Sequence, residues 1–163
     1  MIRHYSAADY TVESSIGYLI RRASNLMVSR VETVFAAHEI TFVQWLVLAY
    51  LRDGMANTAA ELCRQLCHDS GALTRLVDQL CERGLMERER SLQDRRIVEL
   101  SLTDSGLKAV EALTPLVVDC LNCALGDFTR DEVNTLARLL GKLIDGIVAA
   151  PHPNTLKHAE PSA

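Results

Sequence analysis

The chain has 163 residues, 48% of them hydrophobic, and 17 Lys/Arg against 21 Asp/Glu leave a net charge of −4. That length fits one domain, or one domain with helical extensions, and the apolar content suffices for a core plus an oligomer interface. No apolar run approaches the roughly 18 residues that span a bilayer, Met1-Ile2-Arg3-His4-Tyr5 opens no secretory signal, and the expected setting is therefore cytoplasmic.

Residues 12–37 predict a first helix, with Ile16, Ile20, Ala23, Met27, Val31 and Val34 on one apolar stripe. Thr41-Phe42-Val43-Gln44 is a capping box that opens a short apolar helix through Leu51, and Arg52-Asp53-Gly54 ends it. Thr58-Ala59-Ala60-Glu61 is a second capping box. The helix behind it carries Ala59, Leu62 and Leu66 on one side with Cys63 beside them, and Glu61, Arg64, Gln65 and His68 on the other. Asp69 or Ser70 caps the next helix, whose apolar stripe is Leu73, Leu76 or Val77, and Leu80. Gly84 sits where that helix should end in the left-handed conformation. The opposite face holds Gly71, Thr74, Arg75 and Asp78, small at its start and polar along its length.

After Gly84 the period falls from 3.6 to 2. Val98, Leu100 and Leu102 share one face of a strand, residues 85–90 form its partner, and a polar turn ending in Arg95-Arg96 joins them. Thr103 caps a long helix to about Gly126, in which Pro115 should kink or break the backbone. Thr129-Arg130-Asp131-Glu132 is a third capping box, followed by Val133, Leu136, Leu140, Leu143 and Ile147 at heptad-like spacing. Residues 151–163 are polar and read as a flexible tail.

Helix, tight turn, helix, strand, turn, strand is a winged helix-turn-helix, which places one helix in a DNA groove. The fold class is mostly α (α+β). The expected division is a winged helix-turn-helix DNA-binding region at 38–103 and a helical dimerisation region built from 1–37 and 104–150. A winged helix this small cannot bury three flanking amphipathic helices. A second copy of the chain can, giving a homodimer whose two-fold axis matches a palindromic operator.

Two motifs resemble the MarR family of bacterial transcriptional regulators, over about residues 12–148. Residues 69–80, Asp-Ser-Gly-Ala-Leu-Thr-Arg-Leu-Val-Asp-Gln-Leu, are similar to the family's recognition helix. Asp94-Arg95-Arg96 followed by Leu102-Thr103-Asp104-Ser105-Gly106 resembles its wing signature, D-x-R then L-T-x-x-G. The resemblance implies a homodimeric DNA binder, usually a repressor, whose recognition helix enters the major groove. It implies that Arg96 reaches the minor groove with its guanidinium held by Asp94. It also implies release by a small phenolic or lipophilic effector, or in some members by cysteine oxidation.

The DNA-contacting candidates are Ser70, Gly71, Thr74, Arg75, Asp94, Arg95 and Arg96. An arginine suits the narrow, electronegative minor groove on physical grounds alone. Arg75 could instead pair with Asp78 or Asp69. The segment 58–100 holds seven arginines against eight acids, so DNA affinity has to come from their placement and should depend steeply on salt. Candidates for an effector site are Arg21, with Arg22 as an alternative cation, His38, Trp45 and Tyr50; core or surface roles are their default.

Five cysteines, an odd number with no export signal, argue for reduced thiols. Cys63 and Cys67 are expected to pack in the core, Cys120 and Cys123 in the dimer layer, and Cys81 lies where the helix dipole disfavours a thiolate. A redox-sensing repressor using one of these thiols is the alternative reading, and a protein-interaction module without DNA binding is another. The C-x-x-C of Cys120 and Cys123 lacks the two further ligands a zinc site needs, and no nucleotide-binding or hydrolase motif is present. Neither a metal, a cofactor nor an enzymatic activity is expected.

Overall fold

The computed structural model describes residues 4–67 and 69–150; His68 and the expected tail at 151–163 lie outside them. In chain order the elements are α1 (Ile16–Phe35), α2 (Phe42–Arg52), α3 (Ala59–Leu66), α4 (Ser70–Glu82), β1 (Met86–Arg90), β2 (Val98–Leu102), α5 (Asp104–Ala124) and α6 (Arg130–Ala149). They fall into two compact units that divide between Leu121 and Asn122.

The helix starts follow local capping chemistry. Ser15 caps α1 by accepting from the Tyr18 amide, so this helix begins four residues later than its apolar pattern suggests. Thr41 and Gln44 form the expected reciprocal box on α2, and Thr129 and Glu132 do the same on α6. At α3 only half of the box forms. Thr58 accepts from the Glu61 amide, but the Glu61 carboxylate reaches one residue further back, to the Asn57 amide at 2.9 Å. That bond holds the Glu61 carboxyl below the usual carboxylate range. Asp69 caps α4 by accepting from the amides of Gly71 and Ala72 at 2.9 and 3.1 Å. Asp69→Ala should therefore lower stability by about 1 kcal/mol, measured by thermal unfolding, while Asp69→Asn keeps most of it.

The core of the larger unit draws one stripe from each element. Val31 and Phe35 come from α1, Val47 and Leu48 from α2, Leu62 from α3, and Leu73, Val77 and Leu80 from α4. Met86, Leu100, Val110, Leu113 and Val117 close it from the hairpin and α5. Each such side chain contributes roughly 1.5–3 kcal/mol on burial, which clamps α4 against α3 and the hairpin.

The hairpin is antiparallel, with Met86 opposite Leu102, Arg88 opposite Leu100 and Arg90 opposite Val98. The segment before α3 adds a bridge that periodicity did not foretell. Thr58 pairs with Glu99, and the Leu100 amide donates to the Asn57 carbonyl at 2.7 Å. Val98 lies on the Leu100 face but is exposed, because the strand there has run past its cover. Helix α5 continues without a break across Pro115. Leu113 and Val117 are buried on either side of the proline, and that packing offsets the loss of one backbone hydrogen bond.

The apolar stripe of α1 is buried only at its C-terminal end. Ile16, Leu19, Ile20, Leu26 and Val34 are exposed. The second unit shows the same pattern: α6 has no buried residue, and Leu136, Leu139, Leu140, Leu143, Ile144 and Ile147 are all exposed. Among the described residues no single helix is long and apolar enough to cross a membrane.

Candidate nucleic-acid interface

The outer face of α4 is presented to solvent over its first turns. Ser70, Gly71, Thr74 and Arg75 are exposed. Thr74 Oγ1 donates to the Ser70 carbonyl at 2.8 Å, and Arg75 Nε donates to the Gly71 carbonyl at 3.3 Å. Both side chains thus lie back along the helix toward its N-terminus, the direction helical geometry favours. Arg75 pairs with neither Asp78 nor Asp69. Asp78 is instead taken by Arg88 of β1, a partner ten residues away that only the hairpin brings within reach.

That ion pair stitches the recognition helix to the wing. Beside it lies a groove of about 250 Å³ walled by Ala59, Thr74, Val77, Arg88, Val98 and Leu100. Strand alternation sorts the wing's charges by face. Arg88 and Arg90 stand opposite Leu100 and Val98, on the face that meets α4. Glu87 and Glu89 stand opposite Ser101 and Glu99, on the other face. Both cations of β1 therefore lie on the α4 side, Arg88 already paired with Asp78.

The turn between the strands is closed by its own backbone. The Ser91 amide donates to the Ile97 carbonyl at 3.0 Å, and the Ile97 amide to the Asp94 carbonyl at 2.9 Å. The Asp94 carboxylate accepts from the backbone amide of Arg96 at 2.9 Å. Without DNA it makes no ion pair with the Arg96 guanidinium, and its visible contact shapes the backbone that carries Arg96. Arg95 and Arg96 are exposed at the tip.

The root of the wing is the tightest contact in the motif. Thr103 Oγ1 donates to the Gly84 carbonyl at 2.7 Å and accepts from the Gly106 amide at 3.1 Å. A Cβ on Gly106 would sit 1.8 Å from the Leu85 carbonyl oxygen. Gly84, with φ +67°, turns the chain out of α4. The L-T-x-x-G signature is thus the seam where α5 starts against the hairpin.

The effector candidates are more scattered. Arg21 lines a shallow hollow on α1 with Tyr18, Arg22, Asn25 and Leu26, to which His38, Trp45 and Tyr50 contribute nothing. Trp45 is a core residue, stacked on Phe42 at 5.7 Å and edge-on to Phe35 at 6.2 Å, and its Nε1 has no protein partner. His38 is exposed and Tyr50 half-buried.

Among the cysteines only Cys120 is buried; Cys63 and Cys81 are half-buried, and Cys67 and Cys123 are exposed. Cys67 departs from its expected core role because it ends α3 in the left-handed conformation, φ 49°, which turns its side chain outward. Burial pushes the Cys81 thiol up, only partly opposed by nearby Arg88. Among the described residues no three potential metal ligands come together.

The sequence profile of the MarR family matches residues 40–98, the span from two residues before α2 to the first residue of β2. The Escherichia coli multiple antibiotic resistance protein MarR is 38% identical over 107 residues, covering 65% of this chain and 74% of its own length. A cysteine-to-serine variant of that protein, solved in complex with operator DNA, superposes with a TM-score of 0.70 at 33% identity, over 78% of this chain and 92% of that one. Bordetella bronchiseptica BpsR, whose DNA binding is regulated by 6-hydroxynicotinic acid, superposes with a TM-score of 0.74 at 26% identity, over 83% of this chain and 97% of that one.

Proposed function

The chain belongs to the MarR family of winged-helix transcriptional regulators, and on that premise we propose that it is a ligand-responsive, homodimeric repressor of a palindromic operator. The observation that carries this reading is the pairing of an exposed α4 face with a wing whose arginines lie on the α4 side and at the tip. Ser70, Gly71, Thr74 and Arg75 meet the major groove; Arg95 and Arg96 meet the flanking minor groove, on a turn braced by Asp94. The exposed apolar faces of α1 and α6 support a second copy of the chain as their cover, with residues 1–37 and 104–150 as the dimerisation layer. Two recognition helices about 34 Å apart match successive major grooves.

The effector is a small phenolic or lipophilic molecule that prefers a dimer shape with wrongly spaced recognition helices. The raised thiol of Cys81 favours this signal over oxidation at that position. The protein works in the cytoplasm, on DNA rather than on a membrane, and catalyses no reaction.

The test is to select a duplex from a random pool with the purified protein and measure its affinity across a salt series. The expected result is a two-fold symmetric site, two chains per duplex by light scattering, and an affinity that falls steeply with salt. A monomer in solution, or a protein that retains no duplex at low salt, would overturn the reading.

A further inference from the structure

The wing carries a feature that its arginines do not explain. Leu92, at the hairpin tip, is fully exposed, and Ile97 and Val98 on the returning arm are 43% and 45% exposed. Single exposed apolar residues are ordinary on a protein surface. Here three of them share one hairpin end with Arg90, Arg95 and Arg96. Leu92 is also held outward rather than left loose. Ser91 before it is buried and bonds the Ile97 carbonyl through its amide, while its Oγ accepts from the Gln93 amide at 3.3 Å. With Ser91 turned in and braced on both sides, Leu92 has to point away from the fold.

We infer that Leu92 is an apolar contact to the DNA minor groove, packing on deoxyribose walls while the neighbouring arginines meet the floor and the phosphate rims. The inference rests on the DNA-binding reading above and adds a residue to it. A minor groove presents that mixture of surfaces: sugar C–H groups line its sides, acceptors its floor and anions its edges. Aliphatic side chains are the ones that proteins press between or against base steps there. Water gives three exposed apolar side chains no such return.

An apolar contact releases no counterions, so it should be separable from the arginines by salt. Leu92→Ala in the full chain, bound to the duplex selected by the wild type, should weaken affinity about tenfold while the slope of log K against log salt stays as in the wild type. Leu92→Met should recover most of the affinity, and Leu92→Ser should not. Arg95→Ala is the contrast, lowering the slope by about one. Because the side chain is exposed, thermal unfolding should be unchanged in all three Leu92 variants. Wild-type affinity in Leu92→Ala, with a normal salt slope in the parent, overturns this inference alone. Binding to anionic vesicles that is lost in Leu92→Ala while duplex affinity is kept would assign the tip to a membrane surface and overturn it too. If the parent retains no duplex, the DNA reading and this contact fall together.

Discussion

Replacing Gly106 with alanine is expected to cost about 3 kcal/mol or more of folding stability, the upper range for forcing extra volume into a packed site. The new Cβ would lie 1.8 Å from the Leu85 carbonyl oxygen and 2.9 Å from its carbon. Both are backbone atoms, so no rotamer change relieves the clash. Either the start of α5 or the start of β1 must move. Moving α5 breaks the Thr103 bridge between Gly84 and Gly106. Moving β1 shifts Arg88 off Asp78 and re-aims the wing. DNA affinity should therefore fall along with stability. Gly84→Ala calibrates the effect. A Cβ there meets open space, and the penalty is the left-handed backbone at φ +67°, about 1–2 kcal/mol. Urea unfolding of the two variants beside the parent decides the matter. A Gly106→Ala protein no less stable than Gly84→Ala would refute the steric account of the wing signature.

That signature shows what the sequence makes legible. The period change after Gly84, the Thr103 cap and the β2 alternation are local, and local rules find them. The three capping threonines were readable for the same reason, since the partner lies three residues on. What was not readable depends on register across the fold. The Asp78–Arg88 pair needs the hairpin to fold back on α4 before either charge can find the other. With Asp78 engaged, Arg75 turns to the Gly71 carbonyl instead. The Asn57–Leu100 bond likewise joins segments more than forty residues apart.

The acidic balance of residues 58–100 was the strongest sequence argument against DNA binding, and within β1 the pleat separates its charges by face. The strand Met86-Glu87-Arg88-Glu89-Arg90 alternates its charges by design of the backbone, so acid and base occupy opposite faces. A composition count cannot see this, but the alternation itself was open to inspection in β1. The effector candidates fared otherwise. Trp45 was named as a possible effector contact with a core role as its default, and it packs in the core against Phe35 and Phe42; no periodic signal distinguishes a wall from a core.

Arg96→Ala is expected to weaken binding to the selected duplex roughly tenfold to a hundredfold and to lower the salt slope by about one, with stability unchanged because the side chain is exposed. Arg96→Lys separates charge from fit. It keeps the positive charge and hence the slope. An ammonium holds its water more tightly than a guanidinium does, so a narrow groove should recover only part of the affinity. Asp94 supplies the companion test. Its carboxylate accepts from the Arg96 amide rather than from the guanidinium. Asp94→Asn keeps an acceptor for that amide and removes an anion from the neighbourhood of DNA phosphates, so it should bind as tightly as the parent or more so. Asp94→Ala loses the acceptor, frees the turn and should bind more weakly. If Asp94→Asn is instead as damaging as Asp94→Ala, the charge itself is needed, and Asp94 works on the guanidinium in the complex. Equal affinities for Arg96→Ala and the parent would remove Arg96 from the interface.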